Sequence, residues 1–578
     1  MNCSSLRNNH HRFLASVPLL FAFFALLLSA FPIHAASRNP IRAKKGMVVS
    51  VSPIASDVGL EVLRKGGNAV DAAVAVGFAL AVVHPAAGNI GGGGFMVVHD
   101  AESRTEITVD FREKAPLAAT ADMYLDDDGK VVEGLSTIGY KASGVPGSVA
   151  GLHLAWQRAG SLEWQDLLAP AIQLAEEGFP VSYSLSRSLE NAAPLLSRFP
   201  ESRRIFLRDG NYYQEGEILR QPELANCLRL IAREGPEAFY RGEIANRIVA
   251  AMEANGGLIT KRDLAEYEAV FRDPVRGTYR GHEIVSMGPP SSGGVILLQM
   301  LRMIERFPVR ALGLNSSAFI HLKAEAMRRA FADRAEYLGD PDFGEIPLAG
   351  LLSGGYLEKR SASIRSDWAS VSEFVGAGAP PVEESTETTH YSIVDERGNG
   401  VAVTTTINGS YGSGVTIPGC GFLMNNEMDD FSSRPGVPNM FGLIQGEANA
   451  IGPGKRPLSA MTPTVVKRDG RLYMVLGSPG GPTIINTVFQ ILLNVIDFGL
   501  DIQEAVDEVR VHHQWLPDQL VVERNGLPRD VLRNLEDRGH RIVFRSQIGD
   551  AHSILIEPET GIRLGAPDSR SDSKASGY

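Results

Sequence analysis

Hydroxyl, carboxylate and glycine groups that could act together on an amino acid are concentrated in the second half of the chain. The paired threonines Thr388 and Thr389 stand directly after an acidic, aperiodic stretch and open a β-like segment. Paired threonines are common in strands, so this pair alone indicates only a strand. Further polar groups follow at close range: Thr404-Thr405-Thr406 with Asn408, then NNEMDD at 425–430, KRPLS at 455–459 and GSPGG at 477–481. Hydroxyls at strand ends, an acidic pair and a Gly-Gly turn together predict a site for an amino acid.

Patterns typical of other chemistries do not occur in the sequence. The histidines are scattered and HExxH is missing, so a catalytic metal is not expected. The glycine run at 91–94 does not fit GxGxxG after a strand and precedes no GKS or GKT, which favours a tight packing loop over a phosphate cradle. GxSxG is also missing, which argues against an α/β-hydrolase nucleophile. The sequence therefore predicts neither a metal nor a cofactor.

Local patterns assign mostly helices to the first part of the chain. Asp57 is predicted to cap a helix that ends at Gly66-Gly67. The Ala- and Val-rich segment 69–83 is predicted to be a helix that is buried on most sides. Segments 95–99 and 107–111 are predicted strands, and 149–334 is predicted to be mostly helical.

The pattern changes after the segment 373–387, which is rich in Gly, Pro and Glu and is predicted to be an exposed linker. Two hairpins are predicted beyond it, one pairing 390–395 with 401–406 and one pairing 464–468 with 471–476 across Asp469-Gly470. A long helix is predicted from about 483 to 498.

The composition is that of a globular protein with an excess of acidic residues. Hydrophobic residues make up 44% and charged residues 21% of the 578 residues, which excludes a mainly disordered chain. The net charge of −11 argues against nucleic acid or an anionic membrane as the main partner. Cys3, Cys227 and Cys420 form no CxxC pair, so neither a disulfide scaffold nor a zinc ribbon is expected. Cys227 and Cys420 could pair in an oxidising compartment, but the sequence does not show whether they meet.

Residues 1–36 have the three-part pattern of a secretory signal peptide. A basic start at 7–12 precedes an uncharged segment at 13–33, and small residues follow at 35–37. Export to the periplasm or the medium is therefore predicted. An uncleaved signal anchor is the alternative, although the dense apolar run at 17–31 is short for a membrane span and prolines interrupt the stretch.

The chain resembles the γ-glutamyltransferases (γ-glutamyl transpeptidases, or glutathione hydrolases) of the N-terminal nucleophile hydrolase superfamily. The resemblance runs over essentially the whole predicted mature chain and rests on these motifs: GGNAVDAAVA at 66–75, GNIGGGGFMV at 88–97, DFREKAP at 110–116, TTHYS at 388–392, NNEMDDFS at 425–432, PGVPN at 435–439, KRPLSAMTPT at 455–464, GSPGG at 477–481 and HHQWLPD at 512–518. So many long motifs in one order make coincidence implausible.

The resemblance implies an α+β fold, a four-layer αββα sandwich built from two subunits of one precursor. Self-cleavage between Glu387 and Thr388 would give a large subunit, 37–387, mostly helical with core strands. The small, catalytic and β-rich subunit would span 388–578, which is 578 − 387 = 191 residues. Scaling 62.3 kDa by 191/578 gives this subunit a mass of about 21 kDa.

The resemblance also assigns the catalytic groups. Cleavage would give Thr388 a free α-amino group, with a reference pKa of about 7.7–8, as the base for its own hydroxyl. Thr388 would attack the γ-amide of the donor and form a γ-glutamyl ester, while Thr406 would hydrogen-bond the nucleophile. Gly480 and Gly481 would present backbone N–H groups to the oxyanion.

The donor-binding residues follow from the same resemblance. Arg112 and Ser459 would hold the donor α-carboxylate, since a planar guanidinium suits a carboxylate. Asp430, Glu427 and Asn408 would hold the α-ammonium. The expected donor is glutathione or another γ-glutamyl compound, and the acceptor is water, an amino acid or a peptide.

The chain departs from the family pattern at three places, and these departures bear on donor specificity. Many relatives have a second serine where this chain has Ala460, a tyrosine where it has Phe441, and Ser-Arg where it has Pro482-Thr483. The missing hydroxyl at 460 predicts weaker binding of the donor carboxylate. Restoring it by Ala460→Ser would then lower KM.

Two other functions compete with γ-glutamyl transfer. A related acylase acting on glutaryl amides, such as β-lactam side chains, would share the nucleophile but not the ammonium pocket. Retention of Arg112, Glu427 and Asp430 favours γ-glutamyl donors. A secreted protein with an inactive fold is the third hypothesis, and the retained Thr388 and Thr406 argue against it.

Overall fold

Two seven-stranded antiparallel sheets form the centre of the protein. The computed structural model describes residues 37–208, 210–378, 389–434, 436–444 and 446–578. In spatial order the first sheet contains Lys574–Gly577, Met47–Ser50, Thr389–Val394, Gly400–Thr406, Gly93–Asp100, Thr105–Asp110 and Val270–Arg272. The second contains Ile41–Ala43, Arg563–Pro567, His552–Ile556, Arg471–Leu476, Thr464–Arg468, His282–Ser286 and Val275–Tyr279. Two smaller sheets consist of Val511–His512, Leu520–Glu523 and Ile542–Arg545, and of Phe179–Pro180 and Ile218–Leu219.

Alternating side chains on these strands supply both faces of a sandwich. In the strand Gly400–Thr406, Ala402 joins a buried cluster that contains residues of both sheets, such as Val97 and Val465. Its neighbours Val401 and Val403 join the apolar cluster formed with the first layer of helices. This is the two-residue period of a strand buried on both faces.

Helices cover both outer faces, which gives the predicted four layers. Those on the first sheet are Pro53–Arg64, Ala69–Val83, Ser148–Ala159, Trp164–Glu177, Tyr183–Leu196, Pro200–Phe206, Pro222–Glu234, Pro236–Tyr240, Glu243–Asn255 and Lys261–Ala265. Those on the second sheet are Gly293–Glu305, Val309–Leu312, Ser317–Tyr337, Leu348–Leu351, Gly354–Ala362, Thr483–Ile496, Ile502–Asp507 and Arg529–Asp537. Single 3-10 turns occur at Tyr140–Ala142, Ser372–Phe374, Glu427–Asp430 and Glu447–Asn449.

Several local predictions are confirmed. The helix Ala69–Val83 is buried at every position and begins with a capping box between Asn68 and Asp71. The two hairpins form with antiparallel registers that pair Thr389 with Thr405 and Val465 with Val475.

One local prediction is wrong and another needs a local correction. The helix predicted to begin at Asp57 begins at Pro53, and the side chain of Ser52 caps it by accepting from the backbone N–H of Ala55. The segment 149–334 is mostly helical, as predicted, but between Val270 and Ser286 three strands form instead, and two of them complete an edge of the second sheet.

Both large sheets combine strands from before and after residue 387. The strand Thr389–Val394 pairs with Met47–Ser50, and Thr464–Arg468 pairs with His282–Ser286. The predicted subunits are therefore not separate folding units. The predicted signal peptide, 1–36, lies outside the described residues. In the part of the chain that is described, no helix is both long enough and apolar enough to cross a bilayer.

Candidate active site

In the sequence, the predicted nucleophile directly precedes the first residue of a central strand. Glu387 and Thr388 lie outside the described residues. Thr389 begins the strand, is buried, and pairs with Thr405 on the neighbouring strand. Thr406 ends that neighbouring strand, where its Oγ1 accepts from the backbone N–H of Asn408 at 2.7 Å.

The glycine run at 91–94 packs against the end of this strand and gives the site its shape. A Cβ atom on Gly92 would lie 2.0 Å from the carbonyl oxygen of Thr406, and one on Gly93 would lie 2.4 Å from the carbonyl oxygen of Phe111. Such contacts exclude any side chain. Asn89 completes the packing, because its Nδ2 donates to the Thr406 carbonyl at 2.8 Å. The predicted packing role of this loop is confirmed, and the loop brings Thr406 close to the segment that begins at Phe111.

Gly480 and Gly481 form a turn at the amino end of the helix Thr483–Ile496. Their φ angles are 127° and 60°, which glycine adopts without strain. Among the described residues neither amide N–H has a hydrogen-bond acceptor, although both carbonyls accept from the helix, from Thr483 and Ile484. Gly480 lines a cavity of about 690 Å³ together with Thr389. Free amides at the positive end of a helix dipole suit a developing negative charge.

Arg112 lies at the centre of a fully buried ionic group, which we call the carboxylate cluster and which consists of Arg112, Glu113, Glu427 and Asp430. The guanidinium hydrogen-bonds Glu427 and Asp430 and lies 3.5 Å from Glu113 Oε2. It also donates to the carbonyl oxygens of Pro457 at 2.9 Å and Leu458 at 3.2 Å. Arg112, Glu427 and Asp430, which the resemblance assigned to donor binding, thus lie together.

The carboxylate cluster holds three acidic groups around one guanidinium. Burial raises the pKa of Glu427 and that of Asp430 well above the usual range. Arg112 opposes this effect, but neighbouring carboxylates add to it. Burial likewise raises the pKa of Glu113 to about 7, although Arg112 lowers it. The cluster is thus short of positive charge, and its acids tend to retain protons.

Ser459 and Asn408 are connected to the carboxylate cluster through residues that are adjacent to them or to the cluster in the chain. Ser459 directly follows the two carbonyls that accept from Arg112, and its Oγ accepts from the N–H of Met461 at 3.1 Å. The Nδ2 of Asn408 donates at 3.0 Å to the carbonyl of Asn426, the residue before Glu427. Its Oδ1 has no hydrogen-bond partner in the described part of the chain.

Ala460 has apolar surroundings. Its side chain is fully buried and belongs to the hydrophobic cluster of the second helix layer, with Leu458 and Val466.

Two residues of the site were missed from the sequence. Glu113 follows Arg112 within DFREKAP, and its acidic character was the available signal. Asn425 holds Glu427 in place: its Oδ1 accepts from the backbone N–H of Glu427 at 3.0 Å and of Gly144 at 2.8 Å. Its Nδ2 donates to the carbonyl of Gly91 at 2.8 Å, so Asn425 links the glycine loop to the carboxylate cluster.

Comparison with known proteins gives consistent matches over most of the chain. A family model described as "Gamma-glutamyltranspeptidase" matches residues 55–578. The "Glutathione hydrolase proenzyme" of Pseudomonas sp. (strain A14) is 49% identical over 533 residues, which are 92% of each chain. The protein of the same name from Escherichia coli (strain K12) is 47% identical over 542 residues, 93% of each chain. A cephalosporin acylase from Bacillus halodurans has a similar solved structure, with a TM-score of 0.85, 28% sequence identity, and coverage of 95% of this chain and 98% of that chain.

Proposed function

The chain belongs to the γ-glutamyltranspeptidase family of N-terminal nucleophile hydrolases, and we propose that Thr388 is the nucleophile with which it cleaves γ-glutamyl amides. It is an enzyme made as a proenzyme, and its activity is γ-glutamyl hydrolysis or transfer. The roles of individual residues are our proposal, and the geometry described above supports them.

The nucleophile is generated by self-cleavage. Thr388 Oγ1 attacks the carbonyl of Glu387 and the peptide bond breaks, which forms an ester and frees the α-amino group of Thr388. Water then hydrolyses the ester, which releases the Glu387 carboxylate and restores the Thr388 hydroxyl. Thr388 precedes Thr389 in the sequence, and Thr389 pairs with Thr405, the neighbour of Thr406. This geometry supports Thr406 as the group that orients the nucleophile.

In turnover the same hydroxyl attacks the γ-carbonyl of the donor. The α-amino group takes the hydroxyl proton and passes it to the departing amine, and a γ-glutamyl ester remains on Thr388. Water or an acceptor amine then attacks the ester and restores the hydroxyl. The free amides of Gly480 and Gly481 support their role in stabilising the oxyanion of both steps.

The charge balance of the carboxylate cluster is the observation that carries the choice of donor. Three buried acids surround one guanidinium and the pKa of each is raised, so a cation bound beside them would take the place of protons that they otherwise retain. The α-ammonium and α-carboxylate of a γ-glutamyl group are attached to one carbon, so groups that bind them must be adjacent, as Arg112 and Asp430 are. Asn408 Oδ1 offers the ammonium another acceptor.

A glutaryl donor has the carboxylate but lacks the ammonium. It would add one more carboxylate to a buried site that already holds three acids, without the cation that could offset it, at a cost. The acylase hypothesis is supported by the likeness to the Bacillus halodurans structure at 28% identity. It has less support than γ-glutamyl chemistry, for which the relatives are 47% and 49% identical.

One purified sample tests both parts of the proposal. A denaturing gel with reductant should show two subunits, and the small one should begin Thr-Thr-His-Tyr-Ser. Thr388→Ala should remain a single inactive chain, with Thr389→Ala as a matched control that is still cleaved. The kcat/KM for a γ-glutamyl anilide should exceed that for the glutaryl anilide at least tenfold. Equal values would reject the proposed donor pocket, and a different start of the small subunit would reject Thr388.

We also infer that the signal-like segment 1–36 directs export to the periplasm or the medium. The basic, apolar and small-residue sequence of this segment supports the inference. Sequencing the large subunit from a periplasmic fraction should give a start near residue 37. A large subunit that still begins at Met1 and sediments with membranes would instead support a signal anchor.

A further inference from the structure

The thiols of Cys227 and Cys420 meet in the interior. Cys227 lies in the helix Pro222–Glu234, before residue 387, whereas Cys420 lies in the loop after Thr406, beyond residue 388. Both side chains are buried, with exposed fractions of 2% and 0%, and they belong to one hydrophobic cluster. Cys227 is near enough to raise the pKa of the Cys420 thiol, and both cysteines are free thiols in this structure.

Backbone packing holds the two cysteines against each other. A Cβ atom on Gly421 would lie 2.9 Å from the backbone nitrogen of Leu224, so the loop contacts the first turn of the helix. Cys227 follows Leu224 by three residues and therefore lies on the same side of the helix. A turn in which the N–H of Cys420 donates to the carbonyl of Ile417 at 3.0 Å shapes the loop at this point.

A second contact fixes the other side of the loop. Arg247 Nη1 donates to the carbonyl of Gly419 at 2.5 Å, and its guanidinium lies within electrostatic reach of both thiols. The loop between Gly419 and Gly421 is thus held between two helices of the first layer, Pro222–Glu234 and Glu243–Asn255. A disulfide needs two cysteines at short range, and this packing keeps the loop that carries Cys420 against the helix that carries Cys227.

We propose that Cys227 and Cys420 form a disulfide in the exported protein, and that this bond joins the large and small subunits covalently after maturation. Its inter-subunit character rests on the proposed cleavage between Glu387 and Thr388. The bond itself requires only an oxidising compartment.

The oxidant is an organic disulfide such as oxidised glutathione. One cysteine thiolate attacks a sulfur of that disulfide, which gives a mixed disulfide and releases one thiol. The second cysteine then attacks the protein sulfur of the mixed disulfide and releases the second thiol. Two protein thiols are oxidised, the disulfide is reduced to two thiols, and these take up the two protons.

We expect this thiol–disulfide exchange to occur while the chain folds rather than after folding is complete. In the folded chain, the hydrogen bond with Cys227 and burial raise the pKa of the Cys420 thiol, which suppresses the thiolate. Once formed, the bond is buried and shielded from soluble reductants. It would also tie the loop that leads from Thr406 to Asn425 and Glu427 to the large subunit.

The test compares reducing and non-reducing gels of the exported full chain, after free thiols have been blocked with N-ethylmaleimide during lysis. We expect one species at the combined mass without reductant and two subunits with reductant. Mass spectrometry of a digest should find the peptide containing Cys227 linked to the peptide containing Cys420. Cys3→Ser should change nothing, whereas Cys227→Ser or Cys420→Ser should give two subunits in both lanes. The double variant Cys227→Ala/Cys420→Ala should keep its activity in dilute buffer and release free small subunit in urea.

Two subunits in both lanes from the wild type, with N-ethylmaleimide on both cysteines, would overturn the proposal. A single band in both lanes would show that cleavage had failed. In that case the linked or alkylated peptides still show whether the disulfide has formed. Failure of cleavage and failure of disulfide formation are therefore distinguishable.

Discussion

Two buried ionic groups in this protein use the same residue types with opposite results. In the helix Ser317–Tyr337, Glu325 contacts Arg328 at 3.2 Å and Arg329 at 2.6 Å. Burial alone would raise the pKa of Glu325, but these two arginines outweigh burial and lower the pKa to about 2. In the carboxylate cluster the ratio is reversed, with three acids around Arg112, and the pKa of every acid is raised.

The contrast separates a network in which arginines outnumber the acid from a cluster in which acids outnumber the arginine. Around Glu325 the protein supplies its own counter-charges, so the network is complete without substrate. Around Arg112 three acids share one guanidinium, and the raised pKa of each means that protonation, rather than counter-charges, limits their repulsion. The ratio of charges, rather than burial or the number of ion pairs, distinguishes the two.

The largest effect is expected from Arg112→Gln. This change leaves three buried acids without their guanidinium and should reduce the free energy of unfolding by about 3–5 kcal/mol. We expect a lowered Tm and impaired maturation, read from thermal denaturation and a denaturing gel. Arg329→Gln is the matched control, because Glu325 keeps Arg328 and the loss should be smaller. Normal maturation of Arg112→Gln with an unchanged Tm would contradict the central place given to this guanidinium.

Asp430→Asn should separate binding from folding. Removing one of three like charges should leave the Tm of the free protein unchanged or higher, whereas Glu325→Gln should lower it. A charge-assisted hydrogen bond is worth about 1.5–3 kcal/mol, so kcat/KM for γ-glutamyl anilides should fall by about ten- to a hundredfold. The value for glutaryl anilides should change much less. Equal losses on both substrates would point to a packing role for the segment 425–430.

The two groups should also differ in the pH dependence of stability. Glu113 keeps its proton up to about pH 7 when folded but ionises near 4.5 when unfolded. Between these values the unfolded state binds fewer protons, so the free energy of unfolding should fall as pH rises. Glu325 should act in reverse, with stability lost as pH falls from near 4.5 through about 2. Tm measured from pH 5 to 8 should flatten in Glu113→Gln and keep its slope in Glu325→Gln.

The smallest effect is expected from Ala460→Ser. The residue lies in the apolar cluster with Leu458 and Val466, so a hydroxyl there gains little and loses apolar contact. We expect KM for γ-glutamyl donors to change by less than about threefold and Tm to fall slightly. A KM lowered tenfold would show that position 460 faces the donor carboxylate, as the sequence comparison suggested.

Local signals explain which elements could be predicted from the sequence. The hairpin across Asp469-Gly470 has a turn whose residues adopt φ values of 52° and 72°, and alternating residues flank it. The strands between Val270 and Ser286 were missed because their polar residues look like those of an exposed segment. Arg272 and Arg276 instead form ion pairs with the buried acids Asp110 and Glu106 on another strand. Hydrophobic periodicity does not register such pairs.

The candidate site was predicted residue by residue only through family motifs. Composition and spacing could not show that Arg112 meets Glu427 and Asp430, since these acids lie more than 300 positions away in the chain. The charge ratio of the cluster depends on Glu113 as well, whose burial is set by the glycine loop packed against it. Both facts are properties of tertiary packing.

The mixed strand order of the sheets has a consequence for refolding. Five strand pairings join segments from the two sides of residue 387. In the precursor these pairings form within one molecule, but after cleavage they must form between two separate chains whose exposed strand edges also favour aggregation. The mature enzyme should therefore be metastable: it persists because unfolding is slow, and once denatured and diluted it does not return. The stability of the mature enzyme is then kinetic. It is set by the rate of unfolding and depends on heating speed and protein concentration, rather than on an equilibrium free energy.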